Sequence, residues 1–454
     1  METVGEETHK SYAERFFGFL RSLIPRRLIV TARPLYHRFV AYLAAFLYRH
    51  PSRSMLVIGV TGTKGKTSTA NFIWSCFQNA GYQTGLVSTA NIRIGKKEIM
   101  NPYHMTTPGR FVLQKLLRDM VRQGCTHCVL EITSEGINQF RHKGIDFDGA
   151  IFTNLSPEHL PSHGGSFEKY REAKGKLFAT LKGARKKNNV PKVIVVNNND
   201  AEHEYFLSFW AEKKITYGLA SGADVKASNI EVSGRGMEFL VGETPYHTNV
   251  WGRFQIPNAL AAIACARAFG VIEEKIQKGI ELVKSIPGRM EWIEAGQDFF
   301  VLVDYAHEAT SMNAALSAAR ELVGGDHNVI ILLGAEGGGR DKRKRPLMGE
   351  AAGRLANYVV VSAVDPYDDD PTEIIESVAI AAEQAGKVRD ENLFCIENRR
   401  EAIQKALSLA GSGDVVVLAG KGSEQSMYIY GKKLFWDDRI AAREELQKLL
   451  AKNH

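Results

Sequence analysis

The chain has 454 residues, 58 Lys and Arg against 51 Asp and Glu, a net charge of +7 and 44% hydrophobic residues, which fits a globular protein of roughly two to four domains. No apolar run reaches the roughly 18 residues of a spanning helix, no signal peptide is expected, and five irregularly spaced cysteines make no disulfide framework, so a reducing, cytosolic compartment is expected. The mildly basic balance leaves an anionic small substrate or a membrane surface ahead of nucleic acid, because no dense Lys/Arg run with interleaved aromatics occurs.

Residues 1–53 stand apart, with nine Lys/Arg against four Glu, a net of +5. Arg and aromatic residues alternate from Tyr12 to Arg21 and again from Pro34 to Arg49. The second stretch has helical period, and Pro34 suits a helix first turn. Two helices packed on the body is the plainer reading; a basic amphipathic contact with a membrane surface is the sharper one.

From Met55 the pattern becomes strand, glycine loop, helix, strand. Leu56-Val-Ile-Gly-Val reads as a buried strand and Thr69–Ala80 as a helix; further strand signals start at Val87, Val129, Ala150 and Val193. Strands alternating with helices imply a mostly parallel sheet covered on both faces. Residues 224–250 suggest a small antiparallel piece, and a helix is expected from Asn258. A second α/β unit begins near Pro287, with strands expected at Phe299–Asp304, Asn328–Leu333, Tyr358–Ser362 and Val415–Ala419. The expected division is a helical segment 1–53, an ATP-binding unit 54–286 and a Rossmann-like C-terminal unit 287–454.

The strongest motif is Gly62-Thr63-Lys64-Gly65-Lys66-Thr67-Ser68, between a strand and a helix. Gly62 and Gly65 let the backbone turn its N–H groups around anionic oxygens, and the helix N-terminus adds partial positive charge. Lys66 can reach the outer phosphates and the Thr67 hydroxyl can ligate Mg²⁺. A phosphate loop alone does not choose between hydrolysis, phosphoryl transfer and ligation.

Several further motifs, in order, resemble the Mur ligase family, most closely its MurE type, from about residue 55 to the C-terminus. They are Thr106-Thr107-Pro108; Glu131-Ile-Thr133-Ser-Glu135-Gly through Gln139 to Arg141; Phe152-Thr-Asn-Leu-Ser-Pro-Glu158-His159; Tyr170-Arg-Glu-Ala-Lys174; Gly252 through Asn258; Gly288-Arg289-Met-Glu; Asp304-Tyr-Ala-His307; Gly339-Arg340-Asp; and Gly420-Lys-Gly-Ser-Glu424. The resemblance implies ATP and two Mg²⁺ ions, with Thr67, Glu131, His159 and a carbamylated Lys174 at the metals. Lys66 would act with them in catalysis. Asn258, Arg289, Asp304 and His307 would touch ATP. Thr106, Thr107, Thr133, Gln139 and Arg141 would hold a UDP-N-acetylmuramoyl dipeptide. Arg340, Asp365, Tyr367, Gly420 and Glu424 would face an incoming amino acid.

Departures from the family pattern put Lys64 in an Asn place, Glu135 in a His place, Glu158 and Pro161 in Asp places, and Ser423 in a His place. Where diaminopimelate-adding members carry Asp-Asn-Pro-Arg, this chain has Val364-Asp365-Pro366-Tyr367 followed by three aspartates. A missing guanidinium and plentiful negative charge suit a distal ammonium, so lysine or a similar diamino acid is expected. Relatives of this type carry a uridine-binding domain of roughly a hundred residues before the phosphate loop; none is legible in residues 1–53. Uridine would then be gripped by less, or the acceptor would differ, for example by being lipid-linked. The expected product is an amide formed through an acyl phosphate. A folylpolyglutamate- or cyanophycin-synthetase-like ligase and a catalytically silent binding protein are the competing readings.

Overall fold

The computed structural model describes residues 26–103, 105–158, 160–233 and 236–453. Two sheets organise them. The larger has strands β1 (Leu56–Thr61), β2 (Thr84–Val87), β3 (Asn91–Ile94), β4 (Lys97–Met100), β5 (His127–Glu131), β6 (Gly149–Phe152), β7 (Val193–Asn197), β8 (Lys213–Gly218), β9 (Val225–Ser233), β10 (Gly236–Val241) and β11 (Thr244–Thr248). Their spatial order is β11-β10-β9-β8-β7-β6-β1-β5-β2-β3-β4. From β9 across to β2 every pairing is parallel. All six residues of β1 are buried, as an apolar strand must be when helices cover both faces of its sheet.

One covering layer pairs the helix Lys66–Asn79 with the helix Gln255–Ala268. The second of these buries twelve of its fourteen residues, six of them alanines, so its backbone can approach closely. Against the first lies the helix Glu273–Glu281, where a Cβ on Gly279 would stand 2.6 Å from the Cα of Cys76. The expected antiparallel piece at 224–250 is β9–β11. It extends the main sheet instead of standing alone, because β9 pairs with β8. At the opposite edge β3 and β4 form an antiparallel hairpin on β2; these are short strands with no strong alternation in the sequence.

The smaller sheet has strands β12 (Glu291–Trp292), β13 (Phe300–Asp304), β14 (Val329–Leu333), β15 (Tyr358–Val361), β16 (Leu393–Cys395) and β17 (Val415–Ala419), in the order β12-β13-β17-β14-β15-β16. Only the edge pairing β12–β13 is antiparallel. A two-stranded ribbon follows, β18 (Ser426–Ile429) with β19 (Lys432–Phe435).

At the front, a helix runs Arg26–Leu47. Pro34 lies inside it rather than in its first turn, because the helix begins eight residues earlier; lacking an N–H, it cannot bond the Val30 carbonyl. The helix packs by small residues: Val40, Ala41, Ala44 and Ala45 are buried. A Cβ on Gly144 would stand 2.7 Å from that of Ala45. The other expected helix, near Tyr12–Arg21, lies outside the described residues.

His142, two residues before Gly144, is buried, with neither ring nitrogen hydrogen-bonded. Burial, then the charges of Lys143 and Lys176, lowers its pKa to about 3. The unfolded ring titrates near 6.5, so the unfolded chain binds the extra proton between those values. His142 therefore contributes a stability that is present above pH ~6.5 and is lost as pH falls toward 3, by at most about 1.4 kcal/mol per pH unit. His142→Leu is expected to narrow the gap in melting temperature between pH 7 and pH 5. An unchanged gap would show that the ring does not titrate this way.

Candidate active site

The carboxyl ends of β1, β5 and β6 meet where the chain reverses its direction of travel across the sheet, the crevice in which open α/β sheets place ligands. Register puts Glu131 beside Val60 and Phe152 beside Thr61. The loop after β1 turns at Gly62 and Gly65, with φ of 151° and 79°. Space forbids a side chain at either glycine as well. A Cβ on Gly62 would stand 1.9 Å from Thr153 Oγ1, and one on Gly65 2.2 Å from Asn258 Oδ1. The loop is pinned from β6: Thr63 N donates to the Asn154 carbonyl at 2.8 Å and Lys64 N to Asn154 Oδ1 at 2.9 Å. Asn154 stands inside a motif that the sequence showed, yet its role as anchor was not legible.

Five charged side chains converge on this loop. Lys66 Nζ donates to the carbonyls of Gly62 and Thr63 at 3.0 and 2.8 Å. Lys174, fully buried on the helix Phe167–Gly183, donates to the Gly62 carbonyl at 2.7 Å and lies 4.4 Å from the Tyr170 ring centroid. Burial, then the Lys66 charge, drives the Lys174 pKa well below that of a free ammonium. Lys66 is lowered too, by burial first, with Glu131 opposing. Thr67 Oγ1 donates to Glu131 Oε2 at 2.9 Å, and the same oxygen accepts from Thr89 N at 2.8 Å. Lys64 Nζ lies 2.8 Å from Glu158 Oε2.

The residues expected on the acceptor side gather next to Glu131. Thr107 Oγ1 donates to the Glu131 carbonyl at 3.1 Å and accepts from Thr133 N at 3.0 Å, while Thr106 and Thr89 share a hydroxyl bond of 2.8 Å. Arg141 grips Gln139 Oε1 at 2.7 and 3.2 Å and also bonds the Thr107 carbonyl. Glu135 accepts from Ser162 Oγ at 2.8 Å, so a departure at a His place has a local partner. His159 lies outside the described residues.

From the smaller sheet, Arg289 Nη2 reaches Thr67 Oγ1 at 3.4 Å and its guanidinium lies over Tyr305 at 4.2 Å. Asp304, at the end of β13, is buried and accepts from Met290 N and Ala306 N, both at 2.8 Å. Burial raises its carboxyl, with Arg289 opposing. His307 Nδ1 lies 2.7 Å from the Tyr305 carbonyl. Asn258 sits directly below the loop through its contact at Gly65.

Further along this sheet, Arg340, Asp365, Tyr367, Gly420 and Glu424 form a second cluster. Arg340 Nε lies 3.9 Å from Glu336 Oε2. Tyr305 OH donates to Glu424 at 3.2 Å, and Tyr367 stacks on Tyr428 at 5.1 Å. Lys421, a residue outside the expected set, bonds Asp365 at 2.6 Å and Glu424 at 2.7 Å while fully buried. Asp365 also accepts from Tyr428 N at 2.8 Å, so its charge is largely spent within the protein.

The hard-oxygen pair Thr67 and Glu131 beside the loop fits Mg²⁺, which takes one or two protein oxygens and completes its shell with phosphate and water. No group of three or more His, Cys, Asp or Glu placed for a metal occurs among the described residues. Fold and loop define a nucleotide-using α/β enzyme built on a phosphate loop. Residues 60–266 match the Mur ligase middle domain and residues 288–422 the Mur ligase, glutamate ligase domain. A UDP-N-acetylmuramoyl-L-alanyl-D-glutamate–2,6-diaminopimelate ligase of Geobacillus thermodenitrificans is 38% identical over 423 residues, spanning 92% of this chain and 84% of that protein. A UDP-N-acetylmuramyl-tripeptide synthetase of a Roseiflexus species is 39% identical over 422 residues, 90% and 82% of the two chains. The chain belongs to the Mur ligase family. It is accordingly an ATP-dependent, amide-forming ligase. A solved diaminopimelate ligase shares 29% identity at a TM-score of 0.60, covering 88% of this chain and 79% of its own. Folylpolyglutamate synthase of Mycobacterium tuberculosis, at 20% identity and TM-score 0.67 over 84% of this chain and 92% of its own, shares the fold.

Proposed function

We propose that the enzyme adds a diamino acid to UDP-N-acetylmuramoyl-L-alanyl-D-glutamate, as a cytosolic step in peptidoglycan precursor synthesis. Residues 54–286 would hold ATP and the acceptor, and residues 287–454 the incoming amino acid. The observation that carries this reading is the convergence of Lys66, Lys174, Thr67–Glu131 and Arg289 at one loop, with the Thr107–Arg141 group beside it.

The acceptor carboxylate attacks the γ-phosphorus of ATP, the bond to the β–γ bridging oxygen breaks, and ADP leaves. The amine of the amino acid then attacks the acyl carbon, phosphate departs and one proton is released. Lys66 and Arg289 neutralise the charge that develops on the phosphoryl oxygens. Asn258, Asp304 and His307 shape the nucleotide site. Thr106, Thr107, Thr133, Gln139 and Arg141 align the acceptor, which turns a bimolecular attack into a positioned one. Arg340 receives the α-carboxylate in bidentate fashion. Mg²⁺, when bound, supplies charge neutralisation on the phosphates; Thr67 and Glu131 would hold one ion, His159 and a carbamate on Lys174 the second. A lysine with a lowered pKa keeps a larger share of neutral amine, the form that reacts with CO₂.

Lys64 and Glu158 replace the family's Asn and Asp, and they pair with each other. In this reading Lys64 adds a further cation to the phosphate site, held by Glu158 in the absence of nucleotide. Lys64→Asn is expected to raise KM for ATP about tenfold with a smaller change in kcat, the signature of lost ground-state binding. The double variant Lys64→Asn/Glu158→Asp, which restores the family's residues, should recover most of that loss in initial-rate kinetics. Equal KM in single and double variants would mean that the two positions are uncoupled.

For the amino acid, Tyr367 in place of a guanidinium, with Asp368, Asp369 and Asp370 following, supports lysine. The pairing of Asp365 with Lys421 and the names of relatives such as that of G. thermodenitrificans favour diaminopimelate as the second reading. Phosphate release from ATP with Mg²⁺ and the muramoyl dipeptide, across lysine, ornithine and meso-diaminopimelate, decides between them. Release that needs both acceptor and lysine is the expected result; strict diaminopimelate dependence would establish the second reading. No release with any amino acid would overturn the assigned acceptor.

A further inference from the structure

The helix Arg26–Leu47 has two unlike faces. Val40, Ala41, Ala44 and Ala45 are buried against the body. On the other face Leu35, Phe39, Tyr42 and Phe46 follow one another at intervals of four, three and four residues, the spacing of a continuous helical stripe. They are 72%, 62%, 44% and 68% exposed. Leaving such large side chains in water while alanines are buried is the reverse of what folding alone selects.

Charge accompanies the stripe. Residues 26–54 contain six arginines and no Asp or Glu. Arg38 and Arg49 are exposed, and Arg53 pairs at 3.3 Å with Asp146. Beside the helix, the ammonium of Lys143 is lowered by partial burial and by the charges of Arg38 and Lys176, so the positive field extends onto the body. At the end of the helix an open groove of about 500 Å³ is lined by Phe46, Leu47, Arg49, His50, Arg53 and Ser54. Apolar walls thus stand next to guanidinium groups.

We propose that this face docks the enzyme on an anionic lipid bilayer, with the Leu35–Phe46 stripe inserted at the headgroup boundary and Arg38 and Arg49 on lipid phosphates. No helix among the described residues is long and apolar enough to cross a membrane, so the contact is in the plane of the surface. Charge decides against the competing occupant, a second copy of the helix. Paired helices place opposite charges beside an apolar seam, whereas two copies here would bring arginines together with no carboxylate of either helix to match them. A surface of lipid phosphates is complementary to that pattern. This inference stands apart from the choice of acceptor and amino acid.

The test is flotation of the full-length protein with vesicles of phosphatidylcholine alone or with about 30% phosphatidylglycerol. Partition onto the anionic vesicles is expected to exceed that onto neutral ones by about tenfold. It should weaken several-fold between roughly 0.1 and 0.5 M salt. Phe39→Ser/Phe46→Ser and Arg38→Glu/Arg49→Glu should each reduce it to the neutral level with an unchanged melting temperature, because all four side chains are exposed. Equal partition onto both vesicle types, or anionic binding that survives in both variants, would overturn the proposal. So would a dimer in light scattering that the Phe39→Ser/Phe46→Ser variant converts to a monomer.

Discussion

Lys66→Ala should lower turnover by roughly 10³-fold, the scale on which a preorganised charge at a transition state acts. Its ammonium is held inside the loop by the Gly62 and Thr63 carbonyls. In the proposed mechanism it would meet the phosphates already positioned by the loop. Lys66 shares the loop with Lys64, Lys174 and Arg289, whose repulsion the fold sustains. Removing it should relieve that repulsion, so the melting temperature of the apo protein should hold or rise while activity collapses. Single-turnover phosphate release measured beside a thermal melt separates the two effects. Turnover within about threefold of the parent enzyme would mean that this loop is not where the phosphoryl group is transferred.

The second large effect concerns stability. Arg399 and Asp438 form an ion pair with both side chains fully buried. Nε and Nη2 of Arg399 donate to Asp438 at 2.8 and 2.6 Å, and Nη2 also donates to the Ala419 carbonyl at 2.8 Å. Trp436 Nε1 adds a bond of 2.8 Å to the same carboxylate. The pair therefore ties the helix Arg399–Ser408 to the start of the helix Asp438–Asn453 and to the end of β17. Arg399→Ala leaves a buried carboxylate with the indole N–H as its remaining side-chain donor, a loss of about 3–5 kcal/mol. For a unit of this size that corresponds to roughly 10 °C in melting temperature. The double variant Arg399→Met/Asp438→Leu should regain most of the loss, since it buries no unpaired charge. Arg399 Nη1 has no hydrogen-bond partner even in the parent protein, so the pair does not recover the whole cost of its own burial. Calorimetry in which Arg399→Ala melts within a degree or so of the parent would show that water reaches the site and that the pair is not load-carrying.

The phosphate loop was legible because everything that makes it lies within a few residues. The apolar run Leu56–Val60 needs a sheet covered on both sides, Gly62 and Gly65 need positive φ, and Lys66-Thr67-Ser68 opens a helix. The parallel strands β5, β6, β7, β13, β14 and β17 were legible for the same reason: burial on both faces leaves continuous Val/Ile/Leu runs. The hairpin β3–β4 was not, since its residues are short, mixed and partly exposed. Pro34 misplaced a helix start because a proline marks where a helix tolerates a missing N–H, which a first turn does without strain and an interior does at a cost.

The amino-acid sequence by itself determined the phosphate loop and the alternation of buried strands with helices, because backbone preference and burial period act over a few residues, while the class of chemistry rested on the resemblance of its ordered motifs to the Mur ligase family. Tertiary structure alone decided which charges remain available. Arg289 reaches Thr67 across 222 positions of sequence. Lys64 finds Glu158, so two departures from the family pattern become one contact. Lys421 claims Asp365 and removes a negative charge that, read along the chain, seemed ready for a substrate ammonium. A side chain's partner depends on strand register and on where distant loops cross, and a buried charge is satisfied by whichever opposite charge the fold brings within about 3 Å. No local pattern encodes that meeting.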